Sequence, residues 1–121
     1  MTQTGERLFE LRIDDDVAIA TLADKRYEDE KHIQRLGDAF FRLVDEQGRR
    51  KIILNFKDVE FYSSAGLGKL ITLNRKTGSV RGKLVLCGIT DAIRETFEIT
   101  KLDKLFRVVS TLDVALLEFG K

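Results

Sequence analysis

The fold is decided by residues 51–73, which read KIILNFKDVEFYSSAGLGKLITL. The apolar triplet Ile52-Ile53-Leu54 lies between polar residues, and such a continuous run is typical of a strand that is buried on both faces of a parallel sheet. After a loop at 57–62, apolar residues return at helical spacing, at Leu67, Leu70, Ile71 and Leu73. This spacing predicts a helix from about residue 64 to 76. Strand, loop and helix in this order are the repeating unit of an α/β sandwich.

The alternation of strand and helix continues on both sides of this stretch. Toward the N-terminus, residues 8–13 and 17–22 predict a hairpin that closes at Asp14-Asp15-Asp16, and residues 27–47 predict an amphipathic helix. Toward the C-terminus, strands at 83–88 and 106–109 alternate with helices that Thr90 and Thr111 are expected to cap. The order β-β-α-β-α-β-α-β-α predicts an α/β layered sandwich with a mixed, mostly parallel sheet. The opening hairpin adds an antiparallel edge, and the helices pack on the sheet.

Length and composition predict one cytoplasmic domain over residues 1–121. Hydrophobic residues make up 43% of the chain and charged residues 34%, as in ordinary globular proteins. The 21 Lys and Arg nearly balance the 20 Asp and Glu, which argues against a nucleic-acid-binding protein. One cysteine excludes an internal disulfide and fits a reducing compartment. Residues 1–7 lack an apolar signal core, and no apolar run is long enough for membrane insertion.

The residue types that usually carry catalysis are sparse. The only histidine, His32, lies in a charged run and is expected to be solvated, while Cys87 lies in an apolar run and is expected to be a small core residue. These two residues are far apart in the sequence, which argues against a zinc site or a Cys–His couple. Asp14-Asp15-Asp16 is expected to be a solvated turn, with a site for a hard cation as the alternative. We therefore predict a protein that is not an enzyme and that has no metal and no cofactor.

One segment remains that could carry a function, at the start of the helix after residue 62. Ser63 or Ser64 is expected at its N-terminus, where backbone N–H groups and the helix dipole favour negative charge. A phosphate on serine would be tolerated there. The small residues Gly66 and Gly68 would leave room for the surface of another protein. The structural alternative is a serine N-cap followed by glycines that allow close packing of helix and sheet.

This segment resembles the signature of the STAS domain, which bacterial anti-sigma factor antagonists share with the cytoplasmic tails of sulfate transporters. The family pattern is an apolar strand, a turn, and Asp-Ser-Ser-Gly-Leu-Gly at the start of a helix. Gly66-Leu67-Gly68 sets the alignment, which places Ser64 on the family's phosphorylatable serine and Ser63 where the family often has Asp. Asn55 likewise replaces an acid that often ends the preceding strand.

The resemblance implies a binding module that regulates transcription by partner switching. The unphosphorylated form would bind an anti-sigma factor that is also a serine kinase, and a sigma factor would be released. The kinase would phosphorylate Ser64, with Ser63 as the alternative, and a phosphatase would reverse the step. The implied state is a monomer or weak dimer. The resemblance implies these partner-binding residues: Phe61, Tyr62, Ser63, Ser64, Gly66, Leu67 and Lys69.

Three other functions fit the same resemblance. The chain could be an accessory STAS subunit of a membrane lipid or anion transport complex, or a signalling scaffold, in both cases without phosphorylation. It could also be a nucleotide-binding domain, which the absence of a phosphate-cradling glycine loop from the sequence disfavours.

Overall fold

A computed structural model describes residues 8–121 of the chain. The prediction that residues 1–7 lack a signal core therefore lies outside the described residues. The strands and helices, in chain order, are β1 (Phe9–Asp14), β2 (Val17–Leu22), β3 (Arg26–Tyr27), α1 (Glu30–Asp45), β4 (Lys51–Asn55), β5 (Phe61–Tyr62), α2 (Ser64–Ser79), β6 (Lys83–Cys87), α3 (Asp91–Ile99), β7 (Arg107–Val109) and α4 (Leu112–Leu117).

A five-stranded sheet in the order β1-β2-β4-β6-β7 forms the centre of the fold. β1 and β2 pair antiparallel as the predicted hairpin, and each further neighbour pairs parallel. Parallel neighbours need crossover connections, which the helices between β2 and β7 supply. The predicted fold class, a mixed and mostly parallel sheet with helices packed on it, is confirmed.

The two faces of the sheet carry two separate cores. On one face, Ile52 and Leu54 of β4 pack with the apolar residues of α1, α2 and α3. On the other face, Ile53 packs with Val85, Cys87 and the single buried residue of α4, Ala115. Successive residues of a strand point to opposite faces, so the apolar run of β4 is needed to fill both cores. The expectation that Cys87 is a small core residue is confirmed, because it is fully buried.

Helix boundaries follow the capping residues. Thr90 and Thr111 cap α3 and α4 as predicted, since their side chains accept hydrogen bonds from the N–H groups of Ile93 and Val114. The first helix begins at Glu30 after the N-cap Asp29, so the predicted start at residue 27 is wrong. Residue 27 instead belongs to β3.

The acidic turn between β1 and β2 is exposed, as predicted. Lys121 Nζ lies 2.6 Å from Asp15 Oδ2, and Lys51 Nζ lies 2.7 Å from Asp16 Oδ2. These two ion pairs join the turn to residue 121 and to the start of β4. Across residues 8–121, no three His, Cys, Asp or Glu side chains are grouped as a metal site would require. Within the same range, no helix has the length and apolar character that crossing a bilayer demands.

Glu118, just after α4, joins two strands of the sheet through its carboxylate. Arg107 of β7 donates two hydrogen bonds to it, at 2.9 and 2.8 Å, and Lys83 Nζ of β6 lies 3.2 Å from Oε1. The hydrogen bonds from Arg107 and then Lys83 lower the pKa of Glu118 from 4.5 to about 2. A carboxyl group with a lowered pKa in the folded state stabilises the protein above its unfolded pKa, and that contribution is lost as the pH falls toward the folded pKa.

We therefore expect Glu118→Gln to lower the melting temperature at pH 7 and to have a smaller effect as the pH falls from about 4.5 toward 2. The measurement is thermal unfolding of both proteins over this pH range. Asp113→Asn serves as the control, because Asp113 is an exposed acid of α4 with no ion pair in the described part of the chain. A difference in melting temperature between the wild-type protein and Glu118→Gln that stays constant down to pH 2 would contradict the role given to Glu118.

Candidate functional site

A small second sheet positions the start of α2. Arg26–Tyr27 (β3) and Phe61–Tyr62 (β5) pair parallel, apart from the main sheet. The backbone N–H of Ser63 then donates to the carbonyl of Tyr27, at 2.9 Å. The sequence does not predict this sheet, because strands of two residues show no alternation and the apolar pattern places residue 27 in the first helix. The aromatic residues Tyr27, Phe61 and Tyr62 are the signal that could have indicated it.

Three aromatic rings lie beneath the small sheet. The ring of Tyr62 packs against Phe56 edge-on at 5.3 Å and against Tyr27 at 5.9 Å between centroids. The Tyr62 hydroxyl donates a hydrogen bond of 3.0 Å to the carbonyl of Gly66, in the first turn of α2. Burial raises the pKa of Tyr62, so its hydroxyl remains a donor at physiological pH. The position of the first turn of α2 is thus fixed from below.

The two serines at the start of α2 have different roles. Ser63 is the N-cap, and its hydroxyl accepts a hydrogen bond of 3.3 Å from the N–H of Gly66. Ser64 is the first helical residue and is exposed. Within residues 8–121, the Ser64 hydroxyl makes no hydrogen bond. A group added to Ser64 would therefore leave the cap intact, whereas a group added to Ser63 would break it.

Three of the predicted partner-binding residues do not reach the surface. Tyr62 is only 4% exposed, and Gly66 and Leu67 are buried. Leu67 packs into the core beneath α1 and α2. An added Cβ at Gly66 would lie 2.7 Å from the ring of Tyr62. These residues support the surface from inside, and their contact with a partner stays a prediction.

Of the other predicted residues, Phe61 and Ser64 are exposed, whereas Ser63 and Lys69 are half-buried. Phe61 is 40% exposed, and the guanidinium of Arg26 stacks over its ring at 4.9 Å. Ser64, Ala65 and Gly68 are exposed, and an added Cβ at Gly68 would meet nothing within 4 Å. Ser64 and Gly68 are one helical turn apart and share one side of α2. We call Phe61, Ser64, Ala65 and Gly68 the α2 N-terminal surface.

Lys69 is half-buried and is turned toward α1. Its Nζ donates to Gln34 Oε1 at 3.1 Å, and its aliphatic chain crosses over Gly37. This lysine therefore packs α2 against α1, in addition to contributing to the surface beside the α2 N-terminal surface.

Two polar residues near the site, Asn55 and His32, have structural roles. The side-chain oxygen of Asn55 accepts a hydrogen bond of 3.1 Å from the N–H of Lys57 and so shapes the turn after β4. The expectation of a solvated His32 is wrong. Its side chain is 17% exposed, stacks on Tyr27 at 4.7 Å, and places Nε2 2.8 Å from Asp24 Oδ2. His32 thus packs the start of α1 against the small sheet.

The sequence pattern of the family described as the STAS domain matches residues 12–115. The chain belongs to the STAS domain family. The match covers both cores of the fold and the whole of the α2 N-terminal surface, so the resemblance inferred from residues 51–73 is confirmed.

Known STAS proteins are similar to the chain in sequence and in fold. BtrV of Bordetella bronchiseptica, which is assigned as an anti-sigma factor antagonist, is 31% identical over 74 residues; these cover 61% of this chain and 64% of BtrV. The crystal structure of a protein of Thermotoga maritima, also assigned as an anti-sigma factor antagonist, gives a TM-score of 0.82 at 24% identity over 93% of this chain and 95% of that chain. The phosphorylated form of SpoIIAA, a Bacillus cell fate determinant, gives a TM-score of 0.72 at 17% identity over 93% and 99% of the two chains. The two structural comparisons establish the STAS fold.

Proposed function

We propose that this STAS domain is an anti-sigma factor antagonist. Its α2 N-terminal surface would bind an anti-sigma factor that is also a serine kinase, and phosphorylation of Ser64 would end that binding. The observation that carries the proposal is the exposed hydroxyl of Ser64, which makes no hydrogen bond in the described part of the chain and follows directly on a formed N-cap. The assignment of BtrV as an anti-sigma factor antagonist supports the same function.

The electrostatics at the start of α2 suit a phosphoserine. The helix has 16 residues, and its first turn contains no acidic side chain. The N-terminal N–H groups and the helix dipole favour an anion, and a phosphate adds a charge of about −1.5 to −2 at pH 7. In the proposed step, the Ser64 hydroxyl loses its proton and takes the γ-phosphoryl group of ATP, so ADP is released. The phosphatase returns the hydroxyl by hydrolysis. The folded domain would accommodate both forms.

The chemistry of the chain supports a binding module more than an enzyme. Burial raises the pKa of the Cys87 thiol to about 11, which leaves it uncharged and out of contact with substrates. The imidazole of His32 is held between Tyr27 and Asp24. The free hydroxyl at the α2 N-terminal surface then acts as the acceptor in a reaction that the partner catalyses.

Phe61 provides the test of where the partner binds. It is the large apolar side chain of the α2 N-terminal surface, and buried aromatic residues dominate many protein interfaces. We expect Phe61→Ala to weaken binding of an anti-sigma factor kinase from the same genome by about 1–2 kcal/mol, or roughly 5- to 30-fold. The measurement is isothermal titration calorimetry with purified proteins.

Leu117→Ala is the matched control for this experiment. Leu117 is 68% exposed on α4, which packs on the opposite face of the sheet from α2. Its replacement should leave the affinity unchanged. An equal loss of affinity in both variants would show that the interface is not at the α2 N-terminal surface. Failure of the wild-type protein to bind such a kinase, with binding to transporter subunits instead, would favour the accessory role without phosphorylation.

A further inference from the structure

The outer edge of β1 is open and apolar. In the described part of the chain, β1 pairs only with β2 and ends the five-stranded sheet. Leu11 is 39% exposed and Ile13 is 40% exposed, although both belong to a strand. An edge strand presents unpaired N–H and C=O groups, which can pair with a strand of another chain. Many edge strands are protected by prolines or bulges, and β1 contains no proline and pairs with β2 without interruption.

The pairing with β2 shows which residues of β1 direct their backbone outward. Ala23 N–H donates to the carbonyl of Leu8, at 3.2 Å, and these two residues continue the register of the hairpin. Leu8 therefore occupies a hydrogen-bonded position, and such positions alternate along an antiparallel pair. Glu10 and Arg12 then also bond toward β2. The N–H and C=O groups of Phe9, Leu11 and Ile13 point away from the sheet.

These outward residues suit antiparallel pairing of β1 with a second copy of itself. In a pair centred on Leu11, the two leucines lie opposite each other, and Phe9 lies opposite Ile13 of the second copy. Glu10 then lies opposite Arg12 of the second copy. By the two-fold symmetry of the pair, Arg12 lies opposite Glu10 of the second copy. Both charged pairs fall at positions without backbone hydrogen bonds, where opposing side chains approach most closely.

Charge selects this register over its neighbours. Sliding the second strand by two residues in one direction would place Glu10 opposite Glu10, and sliding it in the other direction would place Arg12 opposite Arg12. Like charges directly opposite each other destabilise a strand pair. The side chain of Arg12 has no ion-pair partner within residues 8–121, so it is free to meet an acid from outside.

The apolar face of β1 is also only partly covered. Leu11 lies beside Ala20 and Ile13 beside Ala18 in the hairpin register. Both alanines are fully buried, and Phe9 stacks on Phe40 of α1, whereas Leu11 and Ile13 on the same face are still 39% and 40% exposed. In the pair centred on Leu11, the second copy would place its own Phe9, Leu11 and Ile13 against Leu11 and Ile13 on this face.

We propose that two copies of the chain pair through their β1 edges, antiparallel and centred on Leu11, so that two five-stranded sheets become one. The contact is isologous and closes at two copies, because each chain contributes the same edge. It lies at the strand edge of the sheet and does not involve Ser64, so it holds whether or not Ser64 is phosphorylated.

Sedimentation equilibrium of the full chain over a concentration series tests this dimer. We expect a reversible monomer–dimer equilibrium in the wild-type protein. Arg12→Glu and Glu10→Arg, each alone, should weaken the dimer by about tenfold or more, because each places like charges opposite each other. A mixture of the two single variants should associate again, and so should the double variant Glu10→Arg/Arg12→Glu, since both restore opposite charges.

Circular dichroism of each variant provides the folding control, since both positions are exposed. A wild-type protein that stays monomeric throughout the series would overturn the proposal. So would a dimer that is equally stable in Arg12→Glu, or single variants whose mixture and double exchange both fail to associate.

Discussion

Ser64→Asp is expected to stay folded and to bind the anti-sigma factor kinase roughly 30- to 1,000-fold more weakly than the wild-type protein. The range corresponds to about 2–4 kcal/mol, the cost of burying an unpaired charge in a protein interface. The carboxylate would lie at the start of α2, where the helix dipole favours it, so the fold does not bear this cost. Titration calorimetry and thermal unfolding of the same samples separate binding from folding.

Ser63→Asp is the matched control for the added charge. It introduces the same carboxylate one residue earlier, at the N-cap, where aspartate replaces serine with little loss of helix stability. We expect Ser63→Asp to bind close to the wild-type affinity and Ser64→Ala to bind without regulation. Equal weakening by Ser63→Asp and Ser64→Asp would show that charge alone, and not the position of Ser64, governs the complex.

Gly66→Ala is expected to lower the free energy of unfolding by about 1–3 kcal/mol relative to Gly68→Ala. Both substitutions give α2 the same gain in helix propensity, so their difference isolates the local packing. The new methyl group at residue 66 would lie 2.7 Å from the Tyr62 ring, whereas at residue 68 it would meet open space. Tyr62 cannot retreat easily, because Phe56 and Tyr27 pack against its ring.

Urea unfolding of the two variants measures this difference directly. We expect Gly68→Ala to be as stable as the wild-type protein or more stable by up to about 1 kcal/mol. The binding assay adds a second comparison, since the methyl group of Gly68→Ala projects from the α2 N-terminal surface. Equal stability of Gly66→Ala and Gly68→Ala would mean that Tyr62 does not fix the first turn of α2.

Patterns that depend on burial and capping predicted the fold well. The apolar run Ile52-Ile53-Leu54 indicated a central strand correctly, because both faces of that strand must be filled. Thr90 and Thr111 marked helix starts correctly, because a side-chain oxygen there satisfies a backbone N–H that the helix leaves unpaired. These features depend on neighbours in sequence or on the periodicity of a single element, so they can be predicted without tertiary structure.

The features that the sequence did not predict depend on tertiary contacts. Tyr27 and Tyr62 belong to strands of two residues, which exist only because distant segments pair. The apolar spacing of α2 already included Leu67 in the helix core, yet the family motif also suggested it as a partner contact. Its burial is decided by the packing of α1 over α2, which the spacing within α2 alone does not specify.

The candidate site at the start of α2 stays a prediction, because the sequence indicates a position along the chain but not which side chains reach the surface. The alignment on Gly66-Leu67-Gly68 distinguished Ser64 from Ser63 only by resemblance. The structure separates them physically, because Ser63 caps α2 and Ser64 is exposed. The assignment of Ser64 as the switch remains a prediction.

The most direct test of the proposed function is the position of the phosphate after the full chain reacts with ATP and an anti-sigma factor kinase from the same genome. Peptide mass mapping distinguishes the two serines, and native mass spectrometry of the same sample shows whether the complex persists. We expect one phosphate, on Ser64, and a complex that dissociates as the phosphate is added. Phosphate on Ser63, or a stable complex with Ser64 phosphorylated, would contradict it.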